Sequence, residues 1–424
     1  MISRFVGAQA ACAALLSVSL VANAAETGAA DSSAANTGTP CNLHEEFTQP
    51  QWRLACDTAI AQEADAGKRA VFLQARAYVA IEQYRYDDAF TDLNGALAAF
   101  PDCADCLHER AYLNGELGEY AAAIADLDRE IALRPDRAAA YRERAYARGF
   151  SGDLQGAYQD RARVQQMDPT SGALAARGDA ALWLGMFNDA AADFSEAEKL
   201  AQDEGDEKAR AHAVAQLEEV ALLRASAGDK KAARRCVMQE LDGKDPKVNK
   251  LIGDCTQAFL LAKDGAAKAQ ALTTRATLWV LHDGSWDRAA LDNRVAVGLD
   301  AGNHELYVNL GYNYLQTKHS WAAKREFDRA LARKRSFMAL AGRAEARVNL
   351  DDPDGAFADA KESYEIKPNA PALWVLGDLV YEKGDKDGAK KFYLGAYKLG
   401  ARDDRLIARL KELGVDDPAK AAIE

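Results

Sequence analysis

The fold is decided by a stretch that recurs along the chain, Arg110-Ala-Tyr-Leu-Asn-Gly-Glu-Leu-Gly-Glu-Tyr-Ala-Ala-Ala-Ile-Ala-Asp126. It contains an arginine followed by a small residue, a Leu-Gly turn signal and, twelve residues after the small residue, another alanine. The arginine recurs at Arg76, Arg144 and Arg177, so that successive spacings are 34, 34 and 33 residues. A fixed period of this size is typical of an array in which one supersecondary unit repeats.

Each period is predicted to contain two short helices that cross closely at the small residues. Pro101, Pro135 and Pro169 follow the second helix of successive periods, where proline ends a unit because it cannot continue a helix. The composition agrees, since apolar residues make up 49% of the chain but aromatic residues only 8%. Hydrophobicity carried by alanine and leucine favours helix over strand.

At this point the sequence resembles the tetratricopeptide repeat family. The clearest match is Tyr307-Val-Asn-Leu-Gly-Tyr-Asn-Tyr314, followed by Ala323, Phe327 and Ala330. The resemblance implies an all-α, right-handed superhelical solenoid that binds a protein or peptide partner in its concave groove. We expect one array over residues 67–202 and a second over 267–400, joined by an irregular helical segment over 203–266 and closed by a capping helix and tail over 401–424.

The amino-terminal residues are predicted to lie outside the repeats. Residues 1–24 read as a secretory signal peptide, with an uncleaved membrane anchor as the alternative, and residues 25–40 read as a flexible tether. A short helical segment over 41–66 follows. We therefore expect an exported protein, periplasmic or else secreted or peripheral to the envelope, with no integral membrane segment in the mature chain.

Six cysteines remain after the signal peptide, an even number that suggests three disulfides in an exported protein. We predict local pairs, which are Cys41–Cys56, Cys103–Cys106 and Cys236–Cys255. For Cys103-Ala-Asp-Cys106 a structural or regulatory disulfide is favoured, and a redox site or a metal site is left open.

Two columns of the aligned repeats carry opposite charges. Every unit with arginine before the small residue has aspartate in its second helix, whereas units with Leu310 or Leu376 have Glu326 or Phe392 instead. We predict planar ion pairs between the two helices of a unit. The pairs are Arg76–Asp92, Arg110–Asp126, Arg144–Asp160, Arg177–Asp193, Arg275–Asp292 and Arg343–Asp359.

A second column, two residues after the arginine, is the candidate binding surface. In the family this column of the first helix faces the groove, together with positions about one turn before and after it. Tyrosines at regular intervals can contact an extended peptide through rings and hydroxyls. The alternative is that they pack against the next unit. The candidate residues are Tyr78, Tyr112, Tyr146, Tyr312, His108, Arg142, Glu116 and Trp183.

No motif supports catalysis. The histidines lack ligand spacing, and no nucleophile-elbow or phosphate-loop pattern is present. We expect a non-enzymatic scaffold with no metal and no cofactor, with a thiol–disulfide redox factor that uses Cys103 and Cys106 as the alternative and self-association as a further possibility. The net charge of −12 disfavours nucleic acid and anionic lipid surfaces as partners.

Overall fold

A computed structural model describes residues 49–83, 85–237 and 247–421. The expected signal peptide, the tether and Cys41 lie outside the described residues. Within them the chain is helical and contains no strand, which confirms the all-α prediction. The helices are α1 Gln49–Gln62, α2 Ala66–Glu82, α3 Tyr86–Ala99, α4 Ala104–Glu116, α5 Tyr120–Leu133, α6 Ala138–Ser151, α7 Leu154–Met167, α8 Ser171–Trp183, α9 Phe187–Glu204, α10 Glu207–Leu223, α11 Ala232–Arg235, α12 Lys247–Leu261, α13 Gly265–Asp283, α14 Trp286–Leu299, α15 His304–Gln316, α16 Ser320–Arg333, α17 Phe337–Asn349, α18 Pro353–Ile366, α19 Ala370–Glu382, α20 Lys386–Lys398, α21 Asp404–Glu412 and α22 Pro418–Ala421.

The chain divides into two compact bodies, one up to Arg224 and one from Ala225. In the amino-terminal body, α1 precedes four helix pairs, which we call units 1 to 4 (α2/α3, α4/α5, α6/α7 and α8/α9), and α10 packs on α9. In the carboxy-terminal body, α11 and α12 precede units 5 to 8 (α13/α14, α15/α16, α17/α18 and α19/α20), and α21 packs on α20. Within each body the two helices of a unit contact each other, and the second helix also contacts the first helix of the next unit.

Local signals explain where the helices begin and end. The side chain of Asp65 accepts a hydrogen bond of 2.8 Å from the backbone N–H of Lys68, and Thr170 caps α8 through the N–H of Ala173 at 3.2 Å. Such caps satisfy N–H groups that have no partner inside the helix. Between α4 and α5, Gly118 adopts a φ of 66°, a left-handed conformation in which glycine avoids the steric cost of a Cβ. The Leu-Gly turn signal therefore marks the reversal within a unit.

The core lies where the two helices of a unit cross. Ala77 and Ala111 on the first helices, and Ala89 and Ala123 on the second, are at most 1% exposed. Small side chains let the two backbones approach, and larger residues next to them fill the remaining space at crystal-like packing density. None of the described helices combines the length and the apolar character that a bilayer crossing requires.

Candidate functional site

The six arginine–aspartate pairs link the two helices of their units. In each pair Nε donates to one carboxylate oxygen at 2.8 to 3.0 Å and Nη2 donates to the other at 2.5 to 2.7 Å. The geometry is planar and bidentate, and the six aspartates are 2 to 5% exposed. Hydrogen bonds to the carboxylate raise the pKa of Arg110 above its ordinary value. A charge-assisted fork of this kind is specific in orientation, so it sets how the two helices face each other.

Each of these arginines also reaches the element that precedes its unit, a contact that the sequence analysis missed. Nη1 donates at 2.7 Å to Asn94 from Arg110, to Asp128 from Arg144 and to Asp328 from Arg343. The corresponding acceptors are Gln165 for Arg177, Thr256 for Arg275 and Asp57 for Arg76. The available sequence signal was a polar residue two positions after the acidic residue of the preceding unit, as in Asn94 after Asp92, Asp128 after Asp126 and Asp328 after Glu326. One guanidinium therefore ties three helices together.

Unit 6 lacks this arrangement, as its sequence predicts. Leu310 occupies the arginine position, and Glu326, which is 1% exposed, accepts instead from Arg325 at 2.7 Å and from Arg329 at 3.4 Å on its own helix. The helices of unit 6 are held mainly by apolar contacts around Phe327. The ion-pair ladder is therefore a structural device of particular units rather than a continuous binding surface.

The candidate tyrosines differ in exposure. Tyr78 is 39% exposed, whereas the side chains of Tyr112, Tyr146 and Tyr312 are half-buried. Tyr146 stacks edge-on against Phe150 with ring centroids 4.6 Å apart, and Tyr112 packs against the apolar cluster of units 1 and 2. These contacts lie within units 1 to 3 and are not the packing against the next unit that was the alternative for Tyr112 and Tyr146. Among these four tyrosines, Tyr78 has the largest exposed fraction.

Tyr312 occupies the same column in unit 6. Its ring lies edge-on to Phe327 at 5.2 Å, and its hydroxyl donates to the carbonyl of Met338 at 3.0 Å. Burial and the nearby Glu345 charge raise the pKa of Tyr312 above its ordinary value. The hydroxyl therefore stays protonated and joins units 6 and 7.

His108 belongs to a buried polar network. Its Nδ1 lies 3.0 Å from Oε2 of Glu130, and Arg137 donates to Oε1 of Glu130 at 2.9 Å and to Asp105 at 2.8 Å. Glu130 is fully buried at a position that is alanine in units 1, 4, 5, 6 and 8. Burial alone would lower the pKa of His108, but the hydrogen bond and charge of Glu130 outweigh it and raise that pKa. The imidazole thus pairs with the protein's own carboxylate.

The most unusual part of the amino-terminal body lies between units 3 and 4. Arg161 in unit 3 occupies a repeat position that is apolar in the other units of this body. The equivalent residues are Leu93, Leu127 and Phe194, which are all at most 1% exposed. The charges of Glu143 on α6 and Asp179 on α8 both act to raise the pKa of Arg161, while burial outweighs them and lowers it, so the guanidinium lies near the first helices of both units. Burial raises the pKa of Asp179 to about 7 although Arg161 opposes the shift, and burial also raises the pKa of Glu143.

These three side chains differ from the arginine–aspartate pairs in their contacts. Arg161, Glu143 and Asp179 make no hydrogen bond and no ion pair with any part of the chain that the structure describes. The remaining candidates, Arg142, Glu116 and Trp183, are half-buried. A charge in an apolar column was the sequence signal for Arg161. We refer to Arg161, Glu143 and Asp179 as the charged triad.

Two cysteine pairs are joined in the described residues. Cys103 and Cys106 are 2.01 Å apart at their sulfurs, and Cys236 and Cys255 are 2.11 Å apart. Cys103 caps α4 by accepting a hydrogen bond of 3.2 Å from the N–H of Cys106. Cys103 is 8% exposed and Cys106 is fully buried in the apolar cluster of units 1 and 2. Among residues 49–83, 85–237 and 247–421, no group of three or more His, Cys, Asp or Glu side chains could hold a metal ion.

Comparisons with known proteins concern the fold. No family model and no curated protein sequence matches the chain. Among solved structures, the chain is similar to a tetratricopeptide repeat protein from Parabacteroides merdae (14% identity, 82% of this chain and 100% of that one, TM-score 0.29). It is also similar to the tetratricopeptide domain of P58(IPK) (18%, 81% and 97%, 0.27) and to the Cut9–Hcn1 hetero-tetramer of the APC/C (14%, 87% and 87%, 0.32).

The repeated helix pairs of the chain itself resemble tetratricopeptide repeats. They follow the 33- to 35-residue period, the close crossing at small residues and the helix order that the sequence predicts.

Proposed function

We propose that the protein is an exported, non-enzymatic scaffold whose amino-terminal body binds an extended segment of a partner protein along the first helices of units 1 to 4. The observation that carries the proposal is the charged triad. Arg110, Arg144 and Arg177 each make a bidentate contact and a third contact, whereas the side chains of the charged triad make no hydrogen bond or ion pair within the described residues. A buried or half-buried charge without a partner is costly, and its retention is typical of a binding site.

The geometry also favours an extended partner over a compact one. The first helices of units 1, 2 and 3 contact one another in succession. The triad spans α6, α7 and α8, and Tyr78 lies two to three helix pairs earlier in sequence, on α2. Because the ion-pair ladder holds each unit in place, the receptor loses little conformational entropy on binding. A partner segment with both acidic and basic side chains would satisfy the triad.

Site-specific photocrosslinking tests the proposed surface. A photoreactive phenylalanine analogue at Tyr78, which is 39% exposed, is compared with the same analogue at Tyr364, which is 38% exposed on a second helix, α18. We expect a protein adduct from Tyr78 that is absent from Tyr364. The partner protein in the adduct is then identified. Its affinity for the unmodified full chain is measured by calorimetry, and we expect this affinity to fall when Asp179→Asn is introduced. Equal adducts from both positions, or unchanged affinity in Asp179→Asn, would contradict the proposal.

The same material separates the scaffold from the redox alternative. Cys103→Ser/Cys106→Ser is assayed for partner binding and for thiol–disulfide exchange. The scaffold proposal expects binding to persist and no exchange activity to be lost, because both sulfurs are buried. Loss of an exchange activity with binding intact would favour the redox factor instead.

Export is tested by fractionation. The proposal expects the chain in the envelope or extracellular fraction, with an amino-terminal sequence that begins at Ala25. A full-length chain that starts at Met1 in the cytoplasmic fraction would contradict it.

A further inference from the structure

One segment of this acidic protein is basic. Residues 224–250 contain eight lysines and arginines against four aspartates and glutamates, so the segment carries a net charge of +4 while the remainder of the chain carries −16. The segment covers the end of the first body, the turn before α11 and the first turn of α12. The net charge of the whole chain therefore does not describe the charge of this segment.

The carboxy-terminal body brings the turn and the start of α12 together. Arg235 donates through Nε and Nη2 to the carboxylate of Asp254 at 2.8 and 2.5 Å, and the disulfide Cys236–Cys255 closes the same contact. The hydroxyl of Ser226 donates to Asp254 at 2.6 Å. Lys250 lies one helical turn before Asp254, and its charge acts on that carboxylate. These contacts place α11 beside the first turns of α12.

Basic side chains on this part of the body face solvent. We call Lys230, Lys231, Arg234, Lys247 and Lys250 the basic surface, and all five are exposed. Lys230, Lys231 and Arg234 make no side-chain hydrogen bond or ion pair within the described ranges. Arg235 differs, since Asp254 and Asp229 neutralise it. Val237, next to the disulfide, is 48% exposed and adds an apolar side chain.

The residue types narrow the chemistry of the partner. Elsewhere the chain recognises carboxylates with arginine, whose planar fork matches them, as in Arg110 with Asp126 and Arg343 with Asp359. Four of the five side chains of the basic surface are lysines, which act as hydrated point charges that suit phosphate groups without fixed geometry. A flat array of phosphates fits this pattern better than an acidic peptide does.

We propose that the basic surface docks the protein on a lipid bilayer rich in anionic phospholipid. Juxtamembrane lysines and arginines are attracted to such bilayers, with contributions that add approximately per residue. The acidic remainder does not cancel the attraction, because charges more than about 8 Å from the headgroups are screened at physiological ionic strength. The basic surface therefore determines which face of the carboxy-terminal body turns toward the bilayer. Val237 can enter the headgroup region beside it.

Vesicle sedimentation of the full chain tests the proposal. Vesicles of phosphatidylcholine alone are compared with equimolar phosphatidylcholine and phosphatidylglycerol, at low and at physiological salt. We expect sedimentation with the anionic vesicles only, and weaker binding as salt rises. The variant Lys230→Glu/Lys231→Glu/Arg234→Glu should bind at least about 100-fold more weakly, since each charge contributes on the order of a factor of five.

A matched control removes the effect of net charge. Lys383→Glu/Lys386→Glu/Lys391→Glu changes the net charge by the same amount at exposed positions of unit 8 in the same body. It should bind the anionic vesicles like the unmodified chain. The neutral variant Lys230→Gln/Lys231→Gln/Arg234→Gln should fall between the two, and circular dichroism should show that all four proteins keep their helicity.

Three results would overturn the inference. One is no binding of the unmodified chain to anionic vesicles at low salt. Another is an equal loss in the control and in the test variant, which would mean that net charge rather than the basic surface governs binding. A third is binding to duplex DNA that the test variant loses, with no binding to vesicles, which would assign the surface to nucleic acid.

Discussion

Unit 3 and unit 6 fill equivalent positions of the repeat with opposite chemistry. In unit 6 the ring of Phe327 is fully buried against Gly311 and Gly342, and a Cβ at Gly311 would lie 2.7 Å from Cε1 of the ring. In unit 3 the same column carries Arg161, which makes no hydrogen bond or ion pair within the described residues. The first arrangement maximises packing, and the second gives up packing for a charge.

The difference teaches which units are structural and which are available for binding. A fully buried phenylalanine between glycines adds stability and offers nothing to a ligand. An arginine in that position costs stability, and a site keeps such a residue when binding requires it. Unit 6 also has Leu310 in place of the arginine, and Glu326 pairs with arginines of its own helix, so no ion pair links the two helices of unit 6 through these positions. The two units therefore predict opposite responses to mutation.

The largest effect is expected for Phe327→Ala. Removing the ring leaves a cavity between Gly311 and Gly342 and should lower the free energy of unfolding of the carboxy-terminal body by about 3 to 5 kcal/mol. Urea unfolding followed by tryptophan fluorescence reports it, since Trp279, Trp286, Trp321 and Trp374 lie in this body.

The control is Phe357→Ala, the same substitution at a ring that is 41% exposed on α18. It should change the free energy of unfolding by less than about 1 kcal/mol. If the two variants unfold at the same urea concentration, Phe327 does not hold unit 6 together.

A smaller loss is expected when the ladder is broken in the other body. Arg110→Met leaves Asp126, which is 5% exposed, without both of its hydrogen bonds and removes the contact to Asn94. Breaking a buried pair by removing one partner costs about 3 kcal/mol. Hydrogen exchange resolved by mass spectrometry should show faster exchange in units 1 and 2.

The double variant Arg110→Met/Asp126→Leu sharpens the comparison, because it gives unit 2 an apolar pair like that of unit 8. Most of the lost protection should return, since no charge is then left buried without a partner. A double variant that is no more stable than Arg110→Met would show that the third contact, to Asn94, carries the effect.

The sequence was sufficient to predict the helix pair of each unit but not the contacts between neighbouring units. The period, the helix pair and the partner of each arginine all depend on residues within about 17 positions, where helix geometry dictates which side chains can meet. The contact from Arg144 to Asp128 depends on the register between neighbouring units, which a single unit does not specify. The exposure of Tyr78 and the burial of Tyr146 depend on that register as well. Arg161 was visible as an exception in its column, but its lack of a partner is a property of the packed array.

A gain in stability is expected when unit 3 is made to resemble its neighbours. Arg161→Leu restores the residue found at Leu93 and Leu127 and should raise the free energy of unfolding of the amino-terminal body by about 1 kcal/mol, because replacing a desolvated charge by an apolar side chain is often stabilising. It should weaken binding of the partner identified by crosslinking. Arg163→Leu, an exposed position of the same helix, serves as the control and should alter neither property. A stabilised variant that binds normally would remove Arg161 from the site.

The smallest effect concerns His108, whose charged form is stabilised in the folded protein. Because its folded pKa lies above 6.5, this contribution to stability is fully present below pH 6.5 and is lost as the pH rises through the folded pKa. When His108 loses its proton, Arg137 still donates to Oε1 of Glu130 at 2.9 Å. Only one of the two partners of that carboxylate is weakened, so the free energy of unfolding should fall by less than about 1 kcal/mol. His108→Gln can donate a hydrogen bond to Glu130 but cannot titrate. Urea unfolding from pH 5 to 9, with hydrogen exchange to assign the body, should therefore show a decline above pH 6.5 that the variant lacks, and an identical decline in both proteins would assign the pH dependence to other groups.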